Sequence, residues 1–184
     1  MPTKRTIDVY KFDELTGKAR TRALDEARQY LSENFDAAML TDFFKERLDE
    51  LGLPSKKISW SLGYVQSDGV GFHGRIDLKD YLTKNKLKTK YAELLQDNID
   101  ITVDLEGRDN HTGRVECEVR GNPTPKQENL VDELSSEIKE HAYQVARELE
   151  EAGYADIEYQ TSEPQVIEFL ESNDYDFDVN GDII

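Results

Sequence analysis

A chain of 184 residues can bury one ordinary core or build two very small domains. Its charge of −16 is segregated: residues 1–90 hold seventeen Lys and Arg against fourteen Asp and Glu, residues 91–184 only six against twenty-five, so the C-terminal half would repel nucleic-acid phosphate. No apolar run is long enough to cross a membrane, MPTKRTIDVY lacks the apolar stretch of a secretory signal, and the single Cys117 excludes an intrachain disulfide and a cysteine-rich metal cluster. The expectation is a soluble cytoplasmic protein with 37% apolar and 34% charged residues, no cofactor and no membrane association.

Residues 6–12 alternate Ile7 and Val9 against Asp8 and Tyr10 and end at Phe12, which predicts a short strand. Asp13 then stands as a helix N-cap, and Leu15, Ala19, Ala23, Ala27, Tyr30 and Leu31 recur at helical spacing behind it. Gly17 costs that helix about 1 kcal/mol relative to Ala. After a break near Asn34, residues 35–52 place Met39, Leu40, Phe43, Phe44, Leu48 and Leu51 on one helical face, and Gly52 with Pro54 stops it.

A period of two follows. Ile58, Trp60, Leu62 and Tyr64 alternate with polar or small residues over 57–66, Ser67-Asp68-Gly69 supplies a turn, and residues 70–78 return as a second strand. Residues 80–96 predict a helix carrying Tyr81, Leu82, Leu87, Tyr91, Leu94 and Leu95. Residues 99–105 and 115–119 predict a second hairpin. Residues 121–125, with two prolines, introduce a long helix over 126–152, whose stripe is Leu130, Leu134, Ile138, Ala142, Val145 and Leu149 and which Gly153 closes. A strand over 155–161 and a short Ser162-capped helix through Leu170 complete the pattern, with residues 173–184 a terminal hairpin or a disordered tail. The fold class is α+β: one domain with a mainly antiparallel sheet from two hairpins and several helices packed on it, any domain joint falling at 121–125.

The run Tyr10-Lys11-Phe12-Asp13-Glu14-Leu15 before an Ala/Arg-rich helix, and the turn Asp68-Gly69 between aromatic strands, resemble a family of small phage- and prophage-encoded proteins, mostly without assigned activity. The resemblance covers about residues 6–80 and transfers no site. It implies a viral setting, in which an acidic member would act on a host restriction or CRISPR system.

No catalytic constellation stands out. His73, His111 and His141 lack ligand spacing, Cys117 falls on the apolar side of its strand, and the pair Asp68 and Asp77 is of a kind any acidic protein offers. Gly69, Gly71 and Gly74 match G-x-G-x-x-G by letter only, since no helix opens after them, and they suit a bulge or a close backbone approach. Asp176, Asp178, Asn180 and Asp182 copy the first half of a calcium loop, but a hairpin turning at Asn180-Gly181 explains the same residues. Lys84, Lys86, Lys88 and Lys90 form a basic run that could meet the acidic tail of a second copy and so make a homodimer.

The remaining signal is the C-terminal charge interleaved with aromatics. The candidate contact residues are Glu148, Glu150, Glu151, Asp156, Glu158, Glu163, Glu168, Glu171, Asp174, Asp176 and Asp178. The expectation is a non-enzymatic binding protein, an inhibitor of anti-CRISPR or antirestriction type that offers this surface to the basic groove of a host nucleic-acid-binding protein. The alternatives are an interaction protein working through the hairpin around Trp60, Tyr64 and Phe72, and a calcium-responsive protein.

Overall fold

A computed structural model describes residues 8–66, 68–96, 100–106, 114–120 and 124–184. In chain order these form α1 (Gly17–Glu33), α2 (Ala37–Leu51), β1 (Lys57–Ser61), β2 (Gly69–Ile76), α3 (Leu78–Lys84), β3 (Asp100–Glu106), β4 (Arg114–Arg120), α4 (Pro125–Gln160) and α5 (Glu163–Ser172). Short 3₁₀ turns occupy Phe12–Glu14 and Ala92–Gln96. The class is α+β, with one antiparallel sheet in the order β1-β2-β3-β4. Both expected strand pairings are present, although β1 ends at Ser61 and Leu62–Gln66, expected to continue it, lie in the connection to β2. The fold is not mainly sheet: α4 alone, at 36 residues, exceeds the four strands together. No helix among the described residues is long and apolar enough to cross a membrane.

The chain divides into two compact units, residues 1–36 with 155–184, and residues 37–154. The joint expected at 121–125 falls inside the second unit, with 121–123 outside the described residues. In the first unit, Ala23 and Ala27 of α1 and Val166 and Leu170 of α5 share a core with Phe12, Leu15 and Phe177. Small residues on α1 let α5 approach closely, and Phe12 and Phe177 fill the remaining space with ring centroids 6.3 Å apart. The backbone bridge Tyr10↔Phe177 ties the two ends of this unit together, with reciprocal N–H···O bonds of 2.9 Å.

In the second unit, Leu40, Phe44 and Leu48 form the buried stripe of α2, and Phe44 meets Trp60 of β1 edge-on at 6.1 Å. Val131, Leu134, Ile138, Ala142, Val145 and Leu149 bury one side of α4, the three-and-four spacing of an amphipathic helix. Register pairs Lys57 with His73 and Ser61 with Gly69 across β1 and β2, and Val103 with Cys117 across β3 and β4.

Several local expectations are corrected. Among the described residues the strand over 6–12 reduces to the single bridge at Tyr10, residues 6 and 7 lying outside them. Asp13 does not cap α1; it sits in the 3₁₀ turn, and the helix begins at Gly17, whose φ of +53° an L-residue rarely adopts. Met39 and Phe43 are exposed, although the periodicity of α2 places them with the buried face.

The helix expected over 80–96 stops after α3. There Lys86 takes φ +60°, with its N–H bonded to Thr83 and that of Leu87 to Leu82, the double bond of a Schellman cap. The strand over 155–161 is instead the last turns of α4. Gly153 does not end that helix: it is buried because a Cβ there would lie 2.4 Å from Leu62 Cδ1 and 3.1 Å from Phe44 Cζ. It is a packing glycine, not a turn glycine.

Candidate functional site

Helix α5 enters from Ser162 in an extended conformation, with Pro164 in the first turn and Glu163 placed favourably for the helix dipole. Because Val166 and Leu170 face the core, Glu163, Glu168 and Glu171 lie on the outer side and are exposed. Glu158, near the end of α4, is exposed as well. Among the described residues no cation comes within ion-pair distance of these four; only Gln165 Nε2 reaches Glu168, at 3.4 Å. The unit to which they belong holds seven Lys and Arg against sixteen Asp and Glu.

The other predicted contact residues behave differently. Lys11 Nζ holds Asp174 at 2.9 Å and Asp176 at 2.8 Å, and these bonds raise its pKa. Asp178 is the hub of the terminal turn: it accepts the Asp182 N–H at 3.0 Å, the Asn180 N–H at 2.8 Å and Asn180 Nδ2 at 3.1 Å, and its pKa is held below the carboxylate range by these bonds, that of Asp182 foremost. Asp156 accepts from Gln160 Nε2. Glu148, Glu150 and Glu151 belong to the second unit, where Gln144 donates to Glu148 and Arg47 lies 4.0 Å from it.

Residues 173–184 do reverse, with the bridge Phe177↔Ile183, but the turn is not centred on Asn180-Gly181. The Gly181 N–H bonds Asp178 O at 3.0 Å, so Val179 and Asn180 are its central residues and Gly181 follows at φ +88°. The calcium-loop candidates Asp176, Asp178, Asn180 and Asp182 are engaged in holding that turn, Asp182 also pairing with Arg22. Among the described residues no group of three metal-ligating side chains forms.

A second arrangement was not legible in the sequence. In the second unit, Asp68 is buried at 5% exposure in the connection between β1 and β2. It accepts Tyr154 Oη at 2.5 Å, the Val65 N–H at 2.9 Å and Ser61 Oγ at 3.1 Å. Burial pushes its pKa up, but the hydrogen bonds from Tyr154, the Val65 and Gly63 amides and Ser61 outweigh it and hold the pKa at about 2. Burial and the Asp68 charge together push the Tyr154 phenol up to about 12.

The anchored loop fixes Tyr64 at φ +57°, a strained value for an aromatic residue that costs about 1–3 kcal/mol. Its ring lies 4.7 Å from that of Tyr154 and remains 63% exposed. The other two residues of the expected hairpin surface are withdrawn. Phe72 is 1% exposed, and Trp60 is half-buried with Nε1 donating to Thr41 Oγ1 at 3.0 Å.

The remaining titratable candidates do not converge. Asp77 caps α3 by accepting the Asp80 N–H at 2.9 Å, a role separate from that of Asp68. His73 lines a polar groove of about 400 Å³ with Asp49, Asp77, Asp80, Arg75 and Lys84. His141 Nδ1 bonds Tyr81 Oη at 2.9 Å, and burial holds its pKa below the usual value. His111 lies outside the described residues. In the basic run, Lys84 pairs with Asp80 and Lys90 with Glu133 and Glu137, so two of its four charges are matched within the unit. No family model, curated protein or solved structure matches the chain.

Proposed function

We propose that the protein is a binding protein whose exposed carboxylates on α5 and at the end of α4 meet a basic surface of a nucleic-acid-handling protein and exclude nucleic acid from it. The observation that carries this reading is the set Glu158, Glu163, Glu168 and Glu171, exposed and without a cation in reach among the described residues. Other carboxylates of this unit have Lys11, Arg22, Arg28 or backbone amides as partners; these four have none of these. The eleven contact residues expected from sequence contract to this core, because Asp174, Asp176 and Asp178 already serve the terminal hairpin. The resemblance of residues 6–80 to phage proteins supports a host defence protein as the target, in the anti-CRISPR or antirestriction manner.

An unmatched acidic face accelerates approach to a basic partner and weakens with salt, since the field falls off over about 8 Å at physiological ionic strength. The test is capture from bacterial lysate at low and high salt, beside the quadruple Lys variant of Glu158, Glu163, Glu168 and Glu171. A captured basic protein should wash off with salt, fail to bind the variant and be displaced by duplex DNA. Capture that persists in high salt, or that the variant retains, overturns the reading.

A further inference from the structure

We infer that Tyr159 and Glu168 form an anchor point for an arginine side chain of the basic partner, at the place the Gln165 amide now fills. The inference deepens the proposed function and rests on it for the sign of the partner's charge.

Tyr159 lies in the last turn of α4 and Glu168 on α5, both in the first unit. The corner between them is fixed by hydrogen bonds. The Ser162 N–H bonds Tyr159 O at 3.1 Å, the Val166 N–H bonds Ser162 O at 3.0 Å, and Arg28 Nε of α1 donates to Thr161 O at 3.2 Å. The two side chains are thus placed before any partner arrives. Tyr159 is 62% exposed, and Glu168 is exposed as well. A single nitrogen serves both: Gln165 Nε2 donates to Tyr159 Oη at 3.3 Å and to Glu168 Oε2 at 3.4 Å. Both bonds exceed the about 3.2 Å at which such bonds ordinarily end, so the amide is weakly held.

Two acceptors that one nitrogen reaches only at its limit are spaced for two donors side by side. A guanidinium carries N–H groups on neighbouring nitrogens and brings one to each acceptor at ordinary length. It also supplies the positive charge that no described residue brings to Glu168. An ammonium has one nitrogen and inherits the limit of the amide. One turn along α5 from Gln165, Phe169 stacks on Tyr30 of α1 at 5.6 Å, and Tyr30 is 52% exposed, an apolar border for the arginine methylenes. The anchor thus supplies side-chain selectivity where the other α5 carboxylates supply attraction.

The experiment titrates the full chain with oligoarginine and oligolysine peptides of equal length at one salt concentration. Oligoarginine should bind about fivefold more tightly, the worth of one additional hydrogen bond. Tyr159→Phe keeps the ring and removes the phenol oxygen, so it should bring the two affinities together while the thermal midpoint stays. Gln165→Ala removes the competing amide and should strengthen oligoarginine more than oligolysine. Equal binding of the two peptides by the wild type, or a preference that survives in Tyr159→Phe, overturns the inference. Glu158→Lys, Glu163→Lys and Glu171→Lys together should weaken both peptides alike and leave their ratio unchanged. If that triple variant alters neither affinity, the acidic-face reading fails while the ratio still decides the anchor. If the wild type binds neither peptide, both fail.

Discussion

In the second unit Lys90 lies between Glu133 and Glu137, Lys126 reaches Glu93 at 2.7 Å and Arg47 reaches Glu50 at 3.0 Å, whereas α5 of the first unit carries Glu163, Glu168 and Glu171 with no cation in reach among the described residues. Both units are acidic and both pair carboxylates with their own cations, Lys11 with Asp174 and Asp176 in the first, but on α5 three exposed carboxylates share one helix with no cation among them or in reach. Surface ion pairs add little stability, typically under about 1 kcal/mol, so this difference bears on what approaches the surface and not on whether it folds. Stability in both units comes from buried rings and close backbone contacts.

That separation of roles can be broken in order of expected effect. Phe44→Ala and Phe177→Ala, each at 0% exposure, should each cost about 3–5 kcal/mol in urea unfolding, since both leave a cavity in a core. A loss confined to one of them would show that the two units do not rely on packing alike.

Gly181→Ala should cost about 2–3 kcal/mol: φ is +88°, and the new Cβ would lie 2.2 Å from the Ala19 carbonyl oxygen, an atom of a helix that cannot yield. Gly153→Ala in the second unit should cost less, because its closest contact is the end of the Leu62 side chain and alanine recovers about 1 kcal/mol of helix propensity. Comparing the two thermal midpoints checks the order.

Asp68→Asn should cost about 2 kcal/mol and loosen residues 62–66, measured by amide exchange at Val65, because it replaces a buried acceptor of several hydrogen bonds by a group that is half donor. The pH dependence has a definite sign. The folded pKa of about 2 lies below the ordinary 3.8, so the stabilisation is complete above 3.8 and is lost as pH falls from there through about 2. Asp68→Asn should flatten acid unfolding in that window. Last and smallest, Lys11→Met should leave the urea midpoint nearly unmoved while freeing Asp174 and Asp176, and so strengthen low-salt binding of a basic partner.

Several elements were legible because their cause is local. The stripe of α4 from Leu134 to Leu149 and the pairing of the two hairpins follow from apolar spacing, and the terminal reversal from its turn residues, although it centres on Val179 and Asn180 and not on Asn180-Gly181. Chain reversals show the limit. Gly52 at φ +70° ends α2 with the Leu53 N–H bonded to Leu48, and the glycine announces it. Lys86 at φ +60° ends α3 with the same pair of bonds, and nothing about a lysine announces that. The misplaced strand at 155–161 has the converse origin: Gly153 looks like a helix stop, yet its reason is the space that Leu62 and Phe44 take from the other side.

Composition and periodicity by themselves determined an α+β chain with a strongly acidic C-terminal third, because charge counts and apolar spacing are properties of neighbours in sequence. Only the tertiary structure decided which carboxylates are open. Lys11 lies 163 residues from Asp174, and Asp68 lies 86 residues from the Tyr154 hydroxyl that helps to anchor it. A carboxylate's role depends on the cation, amide or phenol that folding brings within about 3 Å of it, and that distance is set by the packing of whole helices.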